Sequence, residues 1–280
     1  MRIQYCSDLH LDFNPRREFN ELLTPVAPVL ALLGDIGDPE SQILSDFLAW
    51  CCRNWEQVLY IPGNHDFWRM IPGSQKTLQS ALDALQRIAD PHTNLKICWR
   101  QKFVSEDGIL VLATPLWSRP AEGVIPHESE RAWVDSDRTF DARLMNDLHE
   151  ADVRWITQEC KLARNKIVVV LTHYAPSLLL IDRKHVGHPD ATLYASDLDA
   201  LIRPPIVAWV CGHIHQAVQW YKEWETATGE SGRILITTNP YGYPNDHSKY
   251  KTDAVLRIDP SLLKTPSVDE CLFGMNCKSL

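Results

Sequence analysis

Short apolar runs, each followed at once by a polar cluster, recur along this chain of 280 residues. The clearest run is Val29–Leu33, and a continuous run of this kind is typical of a strand buried on both faces. A helical pattern follows it, with apolar positions at Ile43, Phe47 and Cys51. Because strands that alternate with helices build parallel sheets, the chain is predicted to have an α/β fold.

Similar patterns predict the remaining elements. Strands are predicted at 58–61, 95–99, 109–113, 167–171 and 206–211, and helices at about 75–88 and 141–163. Three later runs, at 218–224, 233–238 and 254–258, indicate an antiparallel meander. Asp38 precedes Pro39 and is a candidate N-cap for the first helix.

Composition limits the classes of function. With 45% hydrophobic content the chain can bury a sizeable core, so a single domain over residues 1–280 is expected. The net charge of -8 makes the surface a poor partner for a phosphate backbone, so a nucleic acid partner is not expected. Residues 115–140 are a candidate lid or binding loop, whereas residues 262–280 have no assignable role.

Compartment and membrane association also have sequence signals. The chain contains no secretory leader pattern and no uncharged apolar stretch of about 18 residues. None of its eight cysteines forms a C-x-x-C pair, and Cys6, Cys98 and Cys211 fall in apolar runs. The protein is therefore expected to be soluble, reduced and cytoplasmic, with no membrane partner.

The polar clusters that end the apolar runs carry the chemistry. They are Asp8-Leu9-His10, Gly34-Asp35, Gly63-Asn64-His65-Asp66, Thr172-His173 and Gly212-His213-Ile214-His215. Apart from His65 and Asp66, they supply four His, two Asp and one Asn, a set of donors that suits a pair of divalent metal ions. Each cluster alone is ordinary turn or core composition, but their joint occurrence after strands favours a metal site. His65, beside the potential ligand Asn64, would then be a free imidazole that can give a proton to a leaving group.

The order and spacing of these motifs resemble the calcineurin-like metallophosphoesterase superfamily. Its pattern of D-x-H, G-D-x-x-D, G-N-H-[DE], a lone His and G-H-x-H is matched over roughly residues 1–240. The resemblance implies a four-layer α/β/β/α sandwich of two mixed sheets, with a di-metal site at the strand ends. It also implies hydrolysis of phosphoesters by in-line attack of a metal-bridging hydroxide, with two Mn, Fe or Zn ions as cofactors.

The resemblance also assigns roles to individual residues. The first metal would be held by Asp8, His10, Asp35 and His215, and the second by Asp35, Asn64, His173 and His213, with Asp35 bridging. His65 matches the family's non-ligand histidine, which contacts the scissile phosphate or its leaving group. Asp38 would orient His65, as an alternative to capping a helix, and Asp66 would support the site or serve as a turn carboxylate.

Substrate contacts are predicted from segments next to the metal motifs. The main candidates are Arg69, Trp117, Arg119 and Tyr174, and the further ones are Trp68, the group Arg183-Lys184-His185, and His188. Each could contact a phosphate or stack on a base, but for any one of them taken singly, surface packing or solvated charge is the favoured interpretation. The segment Asn239-Pro240-Tyr241-Gly242-Tyr243 resembles an N-P-x-G-Y segment of some bacterial members, in which the variable position is often Arg. Because Tyr241 stands there, no phosphate-binding role is carried over.

Three functions are compatible with these motifs. The favoured one is hydrolysis of a small phosphorylated substrate, either a phosphodiester or a phosphomonoester. A DNA or RNA nuclease of the same superfamily is second, and the acidic composition disfavours it. A non-catalytic scaffold with this fold is third, and the intact set of potential ligands argues against it.

Overall fold

Two β-sheets form the centre of the protein in a computed structural model, which describes residues 1–13, 18–69, 74–130, 132–134, 141–182, 185–227 and 229–259. The strands are β1 (Arg2–Cys6), β2 (Val29–Leu33), β3 (Gln57–Ile61), β4 (Leu95–Ile97), β5 (Gln101–Val104), β6 (Leu110–Ala113), β7 (Val168–Leu171), β8 (Ile206–Cys211), β9 (Gln219–Glu225), β10 (Ser231–Thr238) and β11 (Val255–Arg257). The helices are α1 (Phe19–Leu22), α2 (Gln42–Asn54), α3 (Leu78–Ala89), α4 (Ala142–Leu162) and α5 (Ala191–Tyr194).

Both sheets are mixed. The first has five strands in the order β11-β1-β2-β3-β4, in which β1 to β4 are parallel and β11 is antiparallel to β1. The second has six strands in the order β5-β6-β7-β8-β10-β9, with antiparallel strands at its two edges and parallel pairing between them. The carboxyl ends of the parallel strands therefore meet at one edge of each sheet.

Alternate side chains of the same strand fill different layers of the core. On β2, Leu30 and Leu32 pack on the side of α2, whereas Ala31 and Leu33 face the layer between the sheets. The second sheet repeats this pattern, since one face of β6 packs with Ile156 of α4 and the other joins the shared inner layer. Both faces of each sheet are covered, which explains the continuous apolar runs and confirms the four-layer sandwich.

The helices begin close to their predicted positions, with one exception. Helix α4 starts after Asp141, whose side chain accepts a hydrogen bond from Leu144 N at 2.8 Å. Helix α2, however, starts after Ser41, so the interpretation of Asp38 as its N-cap is wrong. The Asp38 carboxylate instead accepts a hydrogen bond from Glu40 N, two residues further on, at 2.9 Å. This local turn delays the start of the helix.

The predicted meander is correct only for its first two strands. Strands β9 and β10 pair antiparallel, but β11 crosses to the other sheet and pairs with β1. The apolar pattern of β11 indicates a strand but does not identify the strand with which it pairs. The path of the preceding loop decides that pairing. Strand β5 was not predicted, because it is a short edge strand with mostly exposed side chains.

Some expectations extend beyond the described residues. The tail at 262–280, part of the expected single domain over 1–280, lies outside them. In the part of the chain that the structure describes, no helix is both long enough and apolar enough to cross a membrane.

A fully buried glutamine joins three loops to the first sheet. The Gln4 side chain donates to the carbonyls of Thr24 and Thr252, both at 2.9 Å, and accepts from Val26 N and Trp55 Nε1. We expect Gln4→Met to lower the free energy of unfolding by about 2–4 kcal/mol, because the substitution leaves these buried groups without partners.

Urea denaturation of the wild type and the Gln4→Met variant measures this loss. The control is Gln57→Met, since the half-buried Gln57 side chain forms a single hydrogen bond among the described residues, to Asn94 O at 2.9 Å. The control should lose about 1 kcal/mol or less. Equal losses in the two variants would contradict the assignment.

Candidate metal centre

The strand ends bring the polar clusters of the sequence into contact. Among the described residues, there are three groups of side chains in each of which the possible ligand atoms lie within 4.8 Å of one another. They are Asp8 with His10 and His215, Asp35 with His173 and His213, and His10 with Asp35 and His65. The first two groups match the two predicted metal sites. Asp35 belongs to the second and third groups and lies between the predicted sites, as a bridging ligand would.

The histidine nitrogens have spacings that fit metal coordination. His10 Nε2 and His215 Nε2 are 3.1 Å apart, and two nitrogens bound to one tetrahedral ion at 2.0–2.1 Å would lie about 3.4 Å apart. Asn64 Oδ1 lies 2.9 Å from His173 Nε2, while the amide nitrogen of Asn64 donates to Ser129 O. The amide oxygen is therefore the atom that faces the predicted second metal site.

The ionisation states of these groups also suit metal binding. Burial lowers the pKa of His10, His173 and His213, so their rings are neutral near pH 7 and can act as ligands. Burial also acts on His215, but the hydrogen bond and charge of Asp8 outweigh it and raise the pKa of His215. Burial raises the pKa of Asp8, but His215 outweighs this and the net pKa is lowered. The Asp8 carboxylate is therefore ionised.

Three glycines make room for this cluster. A Cβ atom on Gly63 would lie 2.2 Å from Asp35 Oδ1 and 2.7 Å from His173 Cε1. A Cβ atom on Gly34 would lie 2.3 Å from His173 Nδ1, and one on Gly212 would lie 2.6 Å from the Ser7 side chain. Each of these three glycines directly precedes a predicted ligand and is needed for the close approach of backbone to side chains.

The backbone of the predicted ligands adopts an uncommon conformation. Positive φ angles between 43° and 69° occur at Asp8, His10, Asp35, His213 and His215. A non-glycine residue in this region costs about 1–2 kcal/mol, and such residues concentrate at functional sites. The concentration of strain at five of the seven predicted ligands is independent support for a functional centre.

Asp66 organises the backbone around the predicted bridging residue. Its fully buried carboxylate accepts hydrogen bonds from Gly63 N at 2.6 Å, Tyr60 Oη at 2.8 Å and Asp35 N at 3.4 Å. Burial raises the pKa of Asp66 to about 7. Asp66 therefore holds the two loops that carry Asp35 and Asn64. This is the supporting role, one of the two alternatives that the sequence left open for Asp66.

Asp38 forms a buried ion pair that sequence reasoning missed. Lys76 Nζ lies 2.9 Å from Asp38 Oδ1, and both side chains are buried. Asp12 Oδ2 accepts a hydrogen bond from Asp38 N at 2.6 Å. The Asp38 carboxylate thus pairs with Lys76. The predicted contact by which Asp38 would orient His65 is not observed.

Two further residues of the site come from the segment after Asn239. Asp246 Oδ2 lies 2.6 Å from His215 Nδ1, and the hydroxyl of Tyr243 lies 2.9 Å from His65 Nε2. The Tyr243 ring also stacks on His10, with ring centroids 4.6 Å apart. A carboxylate on the second nitrogen of a ligating histidine fixes the ring and its tautomer. The N-P-x-G-Y segment includes Tyr243 but did not indicate its target, and it ends before Asp246, for which the sequence contained no signal.

The predicted aromatic substrate contacts lie in the core. The side chain of Trp117 is fully buried and packs against Phe67 and Tyr174. Tyr174 is also buried, and its ring centroid lies 4.2 Å from that of His213. A ligand cannot reach a buried indole, so the prediction of Trp117 as a substrate contact is wrong. The Tyr174 ring instead packs against His213, a predicted metal ligand. Close packing of large side chains beneath the site leaves no void under the ligands.

The predicted basic contacts are spread over the surface. Arg119 lies 3.9 Å from Glu150 of α4, and Arg69 stacks over Trp133 while donating to Lys76 O. Trp68 packs edge to face on His65, with ring centroids 5.1 Å apart, which places it at the site. His185 and His188 are exposed, whereas Arg183 and Lys184 lie outside the described residues. Of the predicted lid, only 115–130 and 132–134 are described, and Ser129 in it contacts Asn64.

We expect Gly63→Ala to weaken metal binding by tenfold or more, because its Cβ would displace Asp35 and His173. The metal content of the purified protein after dialysis measures this effect. Gly37→Ala is the matched control, since its Cβ would meet neighbouring atoms at 3.4 Å, an ordinary contact. Unchanged metal retention in a folded Gly63→Ala variant would contradict the geometry of the site.

Comparisons with known proteins identify the family of this chain. Residues 1–217 match the family described as calcineurin-like phosphoesterase. The uncharacterized protein L509 of Acanthamoeba polyphaga mimivirus is 23% identical in an alignment of 291 residues, gaps included. The alignment covers 94% of this chain and 99% of that protein.

Solved structures share the fold. Phosphopantetheinyl Hydrolase (PptH) from Mycobacterium tuberculosis superposes with a TM-score of 0.66 at 17% identity, covering 94% of this chain and 98% of that one. The protein TT1561 of Thermus thermophilus gives a TM-score of 0.50 at 14% identity, covering 86% and 89% of the two chains. The family match over most of the chain, together with the convergent ligand clusters, shows that this protein belongs to the calcineurin-like phosphoesterases and is a metal-dependent phosphoester hydrolase.

Proposed function

We propose that the protein hydrolyses a small phosphomonoester or phosphodiester with two divalent metal ions, of Mn, Fe or Zn. The observation that carries this proposal is the convergence of two groups of donors on either side of Asp35. The residues that would hold the ions are Asp8, His10, Asp35, Asn64, His173, His213 and His215. When bound, such ions supply an activated water and neutralise the charge that develops at phosphorus.

The protein's own residues then have separate tasks. Asp35 is placed between the two groups of histidines, and its Oδ1 accepts a hydrogen bond from His65 N at 2.8 Å. This bond ties the position of His65 to that of the bridging carboxylate. Asp66 and Asp246 hold ligand-bearing segments in place without joining either group of donors themselves.

His65 is proposed to assist departure of the leaving group. Burial lowers the pKa of His65 to about 3, so the neutral ring predominates near pH 7. With its proton on Nε2, the neutral ring donates a hydrogen bond to the leaving oxygen and so stabilises the negative charge that develops there. The Tyr243 hydroxyl lies 2.9 Å from this nitrogen and helps to orient the ring.

The substrate is proposed to be small because acidic residues outnumber basic ones in this chain, which disfavours binding of a polyanion. The net charge is -8, and the predicted contacts Arg69 and Arg119 are engaged with Trp133 and Glu150. A small ester needs little beyond the metal ions, whereas a nucleic acid needs several Lys or Arg side chains. A cytoplasmic location is part of the proposal, and six free cysteines among the described residues support it.

Turnover by metal-reconstituted protein tests this proposal. A suitable panel contains p-nitrophenyl phosphate, its bis ester, cyclic nucleotides and a phosphopantetheinylated carrier protein, the last suggested by the name of the mycobacterial neighbour. Turnover of the small esters would separate an enzyme from a scaffold. No turnover with any metal would refute the proposal.

We expect His65→Ala to leave the metal content near that of the wild type and to lower kcat by about 10²–10⁴ for substrates with poor leaving groups. The loss should be smaller for p-nitrophenyl esters, because their leaving group needs little protonation. Steady-state rates with alkyl and p-nitrophenyl phosphates measure the difference. Equal losses for both would indicate that His65 positions the phosphate instead.

Salt dependence distinguishes the small-ester function from a nuclease. We expect rates with p-nitrophenyl phosphate to change little between about 50 and 200 mM salt, since few counterions are released on binding. Plasmid and single-stranded DNA should remain intact under the same conditions. Rapid cleavage of DNA that falls steeply with salt would favour the nuclease instead.

A further inference from the structure

A cavity of about 460 Å³ lies beside the predicted metal centre, within the segment 241–250. Its lining includes Tyr243, Asp246, His247 and Lys249. Ligand pockets start at about 300 Å³, so this cavity can hold part of a small molecule. None of the motifs that identify the metal centre accounts for it.

The cavity shares a wall with the cluster of predicted ligands. The Tyr243 ring centroid lies 4.6 Å from those of both His10 and His215, and its hydroxyl contacts His65. Asp246 lines the cavity and also contacts His215 Nδ1 at 2.6 Å. A molecule that presents its phosphoryl group to the metal centre can therefore extend across the half-exposed Tyr243 ring into the cavity.

The segment that forms the cavity is anchored to the body of the protein. Gly242 N donates to the carbonyl of Asp8 at 2.9 Å, and Tyr241 N donates to the carbonyl of Ser7 at 3.0 Å. Ser248 accepts a backbone hydrogen bond from Ala217 N at 2.8 Å. These bonds fix both halves of the segment, so the cavity is formed before a ligand arrives.

The charges on the cavity wall favour an anion. Lys249 and His247 are exposed on it, and neither forms an ion pair within the described part of the chain. The one carboxylate on the wall, that of Asp246, is engaged by His215 and by Tyr243 N at 2.8 Å. Lys249 also has a positive φ of 60°, a conformation whose cost is usually met at functional positions.

We propose that this cavity binds a second anionic group of the substrate, a phosphate or a carboxylate. The proposal rests on the phosphoester hydrolysis proposed above and narrows its substrate class to molecules with two separated anionic groups. The reacting phosphoryl group lies at the metal centre, the connecting organic part lies across Tyr243, and the second anion pairs with Lys249. Such a pair would be a charge-assisted hydrogen bond, which is about twice as strong as one between neutral groups.

Binding of two phosphonates that differ only in the second anion tests this proposal. Hexylphosphonate and hexane-1,6-bisphosphonate resist hydrolysis, so calorimetry with the metal-loaded protein measures affinity apart from activity. We expect the bisphosphonate to bind the wild type about tenfold more tightly than the monophosphonate. Lys249→Ala should abolish this preference while leaving the affinity for the monophosphonate unchanged.

Lys251→Ala is the matched control, because Lys251 is exposed two residues further on and does not line the cavity. It should keep the tenfold preference of the wild type. Equal affinities for the two phosphonates in the wild type, or the same preference in Lys249→Ala, would overturn the proposal. Turnover of p-nitrophenyl phosphate is measured in parallel. If the wild type prefers the bisphosphonate but shows no turnover, the result refutes only the hydrolytic function.

Discussion

The structure of the site depends on one constraint, the close approach of five strand ends around the carboxylate of Asp35. This side chain is buried, and Oδ2 lies 3.5 Å from His173 Nε2 while Oδ1 accepts from His65 N. Such an approach is possible only because the neighbouring Gly63 has no side chain. Asp66 then holds the backbone of both loops in the required position. Substitution at any of these points is therefore transmitted to both predicted metal sites.

The same region concentrates several energetic costs. The carboxylates of Asp8 and Asp35 are almost fully buried, and desolvation of an ion is expensive unless an opposite charge is near. The histidines around them are mostly neutral, and the backbone of several of these residues is strained. Bound divalent cations would offset the buried negative charge and stabilise the folded state by mass action. Metal binding and stability are thus expected to be coupled.

The sequence predicts most of the fold and of the metal centre because each ligand directly follows an apolar strand. In a parallel sheet, residues that directly follow the strands lie together at the carboxyl edge of the sheet. The position of a motif after an apolar run therefore indicates where its side chains lie in the fold. Tyr243, Asp246 and Lys76 were missed because their positions depend on loop paths that local patterns do not encode. The predictions for Trp117 and for the partner of β11 failed for the same reason. Both the burial of Trp117 and the pairing of β11 are decided by packing between segments that are distant in sequence.

Metal stoichiometry tests the central claim most directly. After incubation with excess Mn²⁺ and removal of unbound ions, elemental analysis should find two ions per wild-type chain, as the two groups of donors around Asp35 imply. Asp35→Asn keeps the shape of the side chain but removes the shared negative charge, so it should retain fewer than half as many ions while remaining folded. Asp253→Asn, at an exposed position, should match the wild type. Two ions per chain in folded Asp35→Asn, together with normal turnover, would contradict the account.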